Sequence, residues 1–190
     1  MHQGERIGVT AAVPLPGVAL QAFYVLMFAL ATAAGARLEI PHVPVPYTLQ
    51  TLVVILAGAF LGARNGFLSQ CAYLALGAAG APVFAGGAAG PAVLAGPTGG
   101  YLLAFPLAAA LVGTLTGSRH TPARVVLAMA AGLAAIFTLG AVQLAVVATH
   151  RISTALQAGV LLFSWWDCLK LGAASMIYFE AGKRWRRVPR

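Results

Sequence analysis

Residues 125–149 read VVLAMAAGLAAIFTLGAVQLAVVAT, a run of 25 residues without a charged side chain. A helix needs about 20 apolar residues to cross roughly 30 Å of hydrocarbon, so this run alone is long enough to span a bilayer. The 190-residue chain around it is 60% hydrophobic and only 8% charged, whereas about 25% of the residues in a soluble domain are charged. The sequence therefore predicts an integral membrane protein.

Five more apolar runs occur along the chain, separated by polar residues, glycines or prolines. Together with the first run they give six predicted spans: residues 18–36, 48–63, 66–80, 99–117, 125–149 and 156–181. The second and third are short, and only Arg64 and Asn65 separate them. No linker or internal repeat suggests a second domain, so we expect an all-α membrane protein with six transmembrane helices in residues 18–181.

The distribution of lysine and arginine indicates how these helices are oriented. If both termini are cytoplasmic, the cytoplasmic segments carry nine basic residues, whereas the outer loops carry two, Arg37 and Arg151. Because cytoplasmic loops of membrane proteins are enriched in Lys and Arg, we expect residues 1–17 and the basic tail, residues 182–190, to be cytoplasmic. The first helix should remain uncleaved, since two prolines and a single arginine before it make a poor start for a signal peptide.

The formal net charge of +8 raises the question of nucleic acid. Nucleic-acid binding requires basic residues clustered on a folded soluble face, but five of the 12 Lys and Arg residues lie in residues 183–190, next to the last span. We therefore expect the tail to contact membrane lipid and not nucleic acid. Cys71 and Cys168 both lie in apolar runs, so they indicate small core side chains and neither a disulfide nor a metal site.

Asp167 and Lys170 lie inside a predicted span, about eleven residues from its outer end. Their i, i+3 spacing places both side chains on one helix face, close enough to pair. Either charge alone would cost about 2.5–3.5 kcal/mol near the centre of a span. An ion pair that only joins two helices would explain them, but apolar packing achieves that at lower cost. We therefore expect the pair to bind a ligand in a pocket that opens to the outside, about 15 Å away.

Two further segments lie on the same side of the membrane. In residues 44–51, PVPYTLQT, Thr48 is a candidate helix cap, and Gln50 offers an amide donor and acceptor to a ligand. The glycine-rich segment, residues 80–101, carries no charge and many glycines, which disfavour a stable helix and let backbone groups approach a ligand. We expect it to be a binding loop or lid, with a re-entrant or interfacial connector as the alternative.

Small residues recur at four-residue spacing on the first two spans. Ala29 and Ala33 form such a pair on the first span, and Gly58 and Gly62 on the second. Small residues at this spacing permit close helix approach, and so point weakly to a partner. In a chain this rich in Ala and Gly, such spacings also arise easily by chance.

Four motifs resemble, in order, those of one known family. They are residues 44–51 (PVPYTLQT), 72–87 (AYLALGAAGAPVFAGG), 96–102 (GPTGGYL) and 166–170 (WDCLK). On these motifs the chain resembles the BioY family, the biotin-specific substrate-binding subunits, or S components, of energy-coupling-factor (ECF) transporters. The resemblance covers about residues 26–174, nearly the whole predicted membrane domain.

This resemblance implies a six-helix S-component fold that binds biotin with high affinity from the outside, for uptake across the bacterial cytoplasmic membrane. It implies no cofactor of the protein's own, because ATP would be hydrolysed by two partner ATPase subunits that act with a coupling transmembrane protein. The absence of a Walker motif from the sequence agrees with this. The partners would bind the small-residue face of the first helix, at Ala29 and Ala33.

The resemblance also implies which residues bind the substrate. Asp167 and Lys170 match the polar pair of the last helix. Their chemistry suits biotin, since a carboxylate accepts urea N–H groups and an ammonium donates to the urea oxygen or to the ligand carboxylate. Phe84, Tyr101 and Trp166 would supply apolar walls. The full predicted substrate-binding set is Thr48, Gln50, Phe84, Gly86, Gly87, Tyr101, Trp166, Asp167 and Lys170.

Three alternatives remain open. An S component for another vitamin would share the fold but not the ligand. An intramembrane enzyme would need a second catalytic group at the depth of Asp167, and neither His42 nor His150 lies within a predicted span. A membrane scaffold protein would show no change in stability on adding a ligand. We expect no catalytic and no metal-binding residues.

Overall fold

The computed structural model describes residues 17–42, 45–117, 121–149 and 165–185. Over these residues the chain is mostly helical. The helices are α1 (Gly17–Arg37), α2 (Gln50–Ala78), α3 (Pro91–Ala95), α4 (Gly99–Thr116), α5 (Pro122–Leu144) and α6 (Trp165–Trp185). Two short strands, β1 (Glu39–Ile40) and β2 (Tyr47–Thr48), pair antiparallel, with Glu39 opposite Thr48. A 3-10 turn (Ala85–Gly87) precedes α3, and a π-helical turn (Ala145–Thr149) extends α5.

The helix α2 folds back on itself at Gly62, where the backbone has φ 77° and ψ 179°. Glycine adopts this conformation readily, whereas residues with a side chain rarely do. The two arms of α2, residues 50–61 and 63–78, run antiparallel. Gln50 bonds to Tyr73, although 23 residues of straight helix would hold them about 35 Å apart. The predicted second and third spans are therefore the two arms of α2.

The described helices can be compared with the six predicted spans. The first, fourth and fifth spans coincide with α1, α4 and the extended α5 to within a few residues. The chain turns between the second and third spans at Gly62 and not at Arg64 and Asn65, because backbone freedom, rather than side-chain polarity, decides where it reverses. The sixth predicted span begins outside the described residues, and its described part, α6, continues past residue 181 to Trp185.

Four of the described helices are long and apolar enough to cross a membrane: α1, α2, α4, and α5 with its extension to Ala148. When the arms of α2 are counted separately and α6 is included, the described helices fit the six predicted spans. The helix α6 is less apolar than the others because it carries five charged residues: Asp167, Lys170, Glu180, Lys183 and Arg184. The outward side of α4 is a stripe of exposed leucines that suits contact with lipid: Leu103, Leu107, Leu111 and Leu115.

The core is built around α4, which packs on α2 and α5. Glycines make this close approach possible, because a Cβ on Gly58 would collide with the backbone carbonyl of Ala109, and one on Gly113 with the backbone of Ala63. Of the pair that was predicted to permit close helix contact, Gly58 thus packs inside the molecule, while Gly62 forms the turn. The helix α6 packs mainly on α2, which brings its charged residues to the first arm.

The β1–β2 ribbon and the glycine-rich segment meet at one end of the bundle. Thr48 belongs to β2, and α2 begins at Gln50 with Leu49 as its cap residue, so Thr48 is not the helix cap that was predicted. Its pairing with Glu39 holds Thr48 in an extended conformation. Between residues 80 and 98 the glycine-rich segment has only two short helical pieces, the 3-10 turn at Ala85–Gly87 and a single helical turn at Pro91–Ala95. Pro91 suits the start of that turn because its φ is already helical.

Candidate functional site

A cavity of about 420 Å³ lies at this end of the bundle, between the β1–β2 ribbon, the glycine-rich segment and helices α2, α4, α5 and α6. Its rim includes the exposed residues Pro41 and His42. Its walls are largely apolar. Seven of the nine predicted substrate-binding residues line it: Thr48, Gln50, Phe84, Gly86, Tyr101, Asp167 and Lys170.

The charged pair is buried in the wall of this cavity. Lys170 Nζ lies 2.6 Å from Asp167 Oδ1, and the two residues are only 4% and 1% exposed. The predicted pairing at i, i+3 is thus confirmed. Lys170 Nζ also donates to Thr51 Oγ1 at 2.8 Å and to the carbonyl oxygen of Thr48 at 3.3 Å. An ammonium has three N–H donors, so these three acceptors satisfy it.

A second buried network joins the two arms of α2 beside the cavity. Thr48 Oγ1 donates to Gln50 Oε1 at 2.9 Å, and the side-chain nitrogen of Gln50 donates to the hydroxyl of Tyr73. That hydroxyl donates in turn to the carbonyl oxygen of Val83, in the glycine-rich segment, at 3.2 Å. The network fixes the amide of Gln50 at the cavity wall and ties α2 to the segment that covers it.

Charged side chains at the end of α1 and in β1 hold the glycine-rich segment in place. Glu39 Oε2 accepts the backbone N–H of Gly86 at 2.9 Å, and Arg37 Nη2 donates to the carbonyl oxygen of Pro82 at 2.7 Å. Gly86 has φ 65°, in the region that favours glycine. Gly87 does not line the cavity, and the guanidinium of Arg37 lies over it.

The predicted aromatic residues take different positions. Phe84 is buried and packs edge-on against Tyr73, with ring centroids 5.6 Å apart. Tyr101 is buried near the start of α4 and packs edge-on against Phe137, at 6.3 Å. Trp166 is half-buried in α6 and does not line the cavity. Phe84 and Tyr101 are therefore positioned as apolar walls, and their contact with a ligand stays a prediction.

The small residues predicted to bind a partner lie on the inner side of α1. Ala29 is 0% exposed in the core, and Ala33 is half-buried against the same core. Between them Thr32 donates to Gln70 Oε1, across to α2, at 3.2 Å. The expected partner surface at Ala29 is therefore corrected, because the small side chains let α1 approach α2. The outward side of α1 carries large apolar residues: Val18, Phe23, Leu26, Met27 and Leu30.

Several residues at the cavity were not expected from the sequence. Thr51 belongs to the PVPYTLQT motif, and that motif was the available signal. Glu39 lies just past the first predicted span, residues 18–36, and no local pattern connected it to a cavity. Phe105 and Phe137 line the cavity, but in sequence they resemble any other apolar residue of a membrane helix.

The described residues offer little other chemistry at this site. They contain no group of three or more His, Cys, Asp or Glu side chains placed to hold a metal ion. Cys71 is half-buried and Cys168 is exposed, both as free thiols. Hydrogen bonds, one buried ion pair and apolar walls are therefore what the cavity presents to a ligand.

Comparison with known proteins bears on which ligand that is. The profile of the BioY family matches residues 9–189. The chain belongs to the BioY family. Among its BioY relatives, the "Biotin transporter BioY" of Thermotoga maritima is 40% identical over 157 residues, which are 83% of this chain and 92% of the relative. The "Probable biotin transporter BioY" of Pyrococcus horikoshii is 40% identical over 153 residues, 80% of this chain and 90% of the relative.

The fold of this BioY-family protein is also similar to a solved structure. The "S-component for biotin from an ECF-type ABC transporter" superposes with a TM-score of 0.82 at 26% sequence identity. The match covers 90% of this chain and 95% of that chain. The family resemblance drawn from the four motifs is confirmed, and so is the S-component fold.

Proposed function

We propose that this protein binds biotin in the cavity and serves in its uptake as the S component of an ECF-type transporter. The observation that carries the proposal is the buried Asp167–Lys170 pair in the wall of a cavity of about 420 Å³, a volume typical of small-ligand sites. The names of the relatives and of the similar solved structure support the same ligand. The protein is a transport subunit and not an enzyme.

The polar end of the cavity suits the urea group of biotin. The carboxylate of Asp167 is an acceptor of charge-assisted hydrogen bonds, the kind that the N–H groups of a urea donate. Lys170 serves a different purpose from the one expected from the sequence. Because Asp167, Thr51 and Thr48 already take its three donors, Lys170 orients the carboxylate of Asp167 rather than binding the ligand itself.

The apolar walls suit the rest of the biotin ring system. Phe84, Tyr101, Phe105 and Phe137 surround the space next to the charged pair. A fused bicycle with a sulfur atom and a hydrocarbon chain would fill this space and exclude water from the polar end. Hydrogen bonds to Asp167 are stronger in such a dry site than in water.

We infer that the cavity faces outward across the bacterial cytoplasmic membrane and that both termini are cytoplasmic. Arg64, just after the turn of α2, and Arg124, at the start of α5, lie at the end of the bundle opposite to the cavity. Cytoplasmic loops are enriched in such residues. As an S component, the protein would act with a coupling transmembrane protein and two ATPase subunits, which supply ATP hydrolysis. Co-purification from native membranes tests this partnership.

Ligand-induced stabilisation of the purified full-length protein in detergent tests the proposed ligand. Biotin should raise the unfolding temperature, because a ligand that binds only the folded state stabilises it by RT ln(1 + [L]/Kd). Riboflavin and thiamine serve as matched controls and should have no effect. A shift with one of these and none with biotin would assign a different vitamin. No shift with any of them would favour a scaffold protein.

A further inference from the structure

If the cavity holds biotin, as proposed above, the carboxylate of the ligand needs a partner of its own. Lys170 is the cation in the cavity wall, but the acceptors of Asp167, Thr51 and Thr48 occupy its three N–H donors. Lys170 would therefore have to give up a buried bond in order to bind the carboxylate. Breaking a buried charged interaction is costly, so another group must meet the anionic end.

The charges on the cavity wall oppose an anion. Glu39 and Asp167 both line the cavity, whereas Lys170 is its only lining Lys or Arg among the described residues. Counting these two carboxylates and the ammonium of Lys170, an entering carboxylate meets an excess of one negative charge. Like charges repel more strongly in a partly buried site than in water, so binding of an anion requires a further cation near the rim.

Among the described residues, Arg37 at the end of α1 is the arginine that lies beside this rim. Its Nη2 atom donates to the carbonyl oxygen of Pro82, and its Nη1 atom lies 3.0 Å from the position that a Cβ of Gly87 would occupy. Gly87 lies between two residues that line the cavity, Gly86 and Ala88. A guanidinium has five N–H donors, and the bond to Pro82 uses one of them. Arg37 is exposed, so its remaining donors can reach a ligand tail at the rim.

The position of Arg37 also suits the length of the ligand. Lys170 contacts the carbonyl of Thr48, Thr48 pairs with Glu39 across the ribbon, and Arg37 precedes Glu39 by two residues. Neighbouring strands are about 5 Å apart, and two residues of any conformation span at most about 7 Å. The Cα atom of Arg37 therefore lies within roughly 18 Å of Lys170 Nζ. A bicyclic urea with its carboxylate on a four-carbon chain, together with the side chain of Arg37, bridges a gap of this order.

We propose that Arg37 pairs with the carboxylate of the bound ligand at the rim of the cavity, and so selects for ligands with an anionic tail. The planar guanidinium can present two parallel N–H groups to a carboxylate. Glycine at position 87 leaves room for it, since a side chain there would press on the guanidinium. The same arginine would thereby join the ligand tail to the glycine-rich segment through Pro82.

Isothermal titration calorimetry on the purified full-length protein, with biotin and with biotinamide, tests this assignment. The tail of biotinamide is uncharged. In the R37Q variant, biotin should bind about tenfold more weakly, while the affinity for biotinamide should change by less than about twofold. R37K keeps the charge but not the planar fork, so it should recover part of the affinity for biotin. R124Q is the matched control, because Arg124 also bonds a backbone carbonyl, that of Leu115, at the opposite end of the bundle. R124Q should leave the affinities for both ligands unchanged.

An equal loss of affinity for biotin and for biotinamide in R37Q would overturn the proposal, because Arg37 would then act only through its bond to Pro82. If H42Q lowers the affinity for biotin alone and R37Q lowers neither affinity, the proposal is overturned and His42 is the partner of the carboxylate. If R37Q does not fold, the salt dependence of the wild-type protein tests the pairing instead. Added salt should lower the affinity for biotin but not the affinity for biotinamide. An equal response of both affinities would contradict the pairing. Failure of the wild type to bind either ligand would refute the proposed function itself, a result distinct from loss of tail selectivity.

Discussion

The substitution Asp167→Asn tests whether the charged pair binds ligand. Asparagine has nearly the same shape as aspartate, but it removes a negative charge that lies 2.6 Å from Lys170 Nζ in a residue only 1% exposed. It also replaces two acceptor oxygens with one. A hydrogen bond to a charged group contributes about 1.5–3 kcal/mol, and 1.4 kcal/mol corresponds to a tenfold change. Biotin should therefore bind about 10- to 150-fold more weakly.

The same substitution should lower the free energy of unfolding, because it leaves the ammonium of Lys170 buried without a counter-charge. Removing one partner of a buried ion pair costs about 3–5 kcal/mol. The amide oxygen of asparagine still accepts one bond, so we expect a loss near the lower end of that range. The double variant D167N/K170M removes both charges and should recover most of the stability but none of the affinity.

Calorimetry with biotin and thermal unfolding in detergent separate these two effects. C168S is a matched control, since Cys168 lies on the same helix turn but is exposed and away from the cavity. It should leave both measurements unchanged. Wild-type affinity in folded D167N would refute the ligand-binding role of the pair. Recovered affinity in the double variant would show that the pair only supports the fold.

The remaining predictions concern the framework of the site. Y73F removes two hydrogen bonds of a buried hydroxyl, and should lower the free energy of unfolding by about 1–3 kcal/mol in chemical denaturation. G58A should lower the unfolding temperature clearly, because its Cβ collides with Ala109, whereas G172A, with open space around it, should not. E39A releases the backbone N–H that the glycine-rich segment donates, so the uncharged ligand biotinamide, which the charge of Glu39 does not repel, should dissociate a few-fold faster in stopped-flow measurements. An unchanged dissociation rate would mean that this bond does not hold the segment closed.

The predicted spans were close to the described helices because a bilayer constrains the chain strongly. An apolar run of sufficient length must become a helix there, since no water satisfies its backbone groups. The exception was the turn between the second and third spans. Arg64 and Asn65 were the only polar residues available as a marker, but Gly62 makes the turn through its backbone conformation. Hydropathy does not register that property.

The candidate site was predicted less evenly. Asp167 and Lys170 could be singled out because charged residues inside a span are costly and therefore rare. The contributions of Glu39 and Phe137 could not, because each is an ordinary residue in its own segment and meets the cavity only after the chain folds. The prediction for Ala29 failed in a different way. The small-residue pattern correctly indicated a close helix contact, but it did not show that the contact is with α2 of the same chain and not with a partner protein.

By itself the sequence determined that the protein lies in a membrane, that it has about six helices and that one charged pair stays among them. It could do so because exposure to hydrocarbon penalises charge and open backbone one residue at a time. Only the tertiary structure decided which acceptors occupy the donors of Lys170, which side of α1 faces inward, and how near Arg37 comes to the rim. These depend on distances between segments far apart in the chain, and no local pattern of residues encodes them.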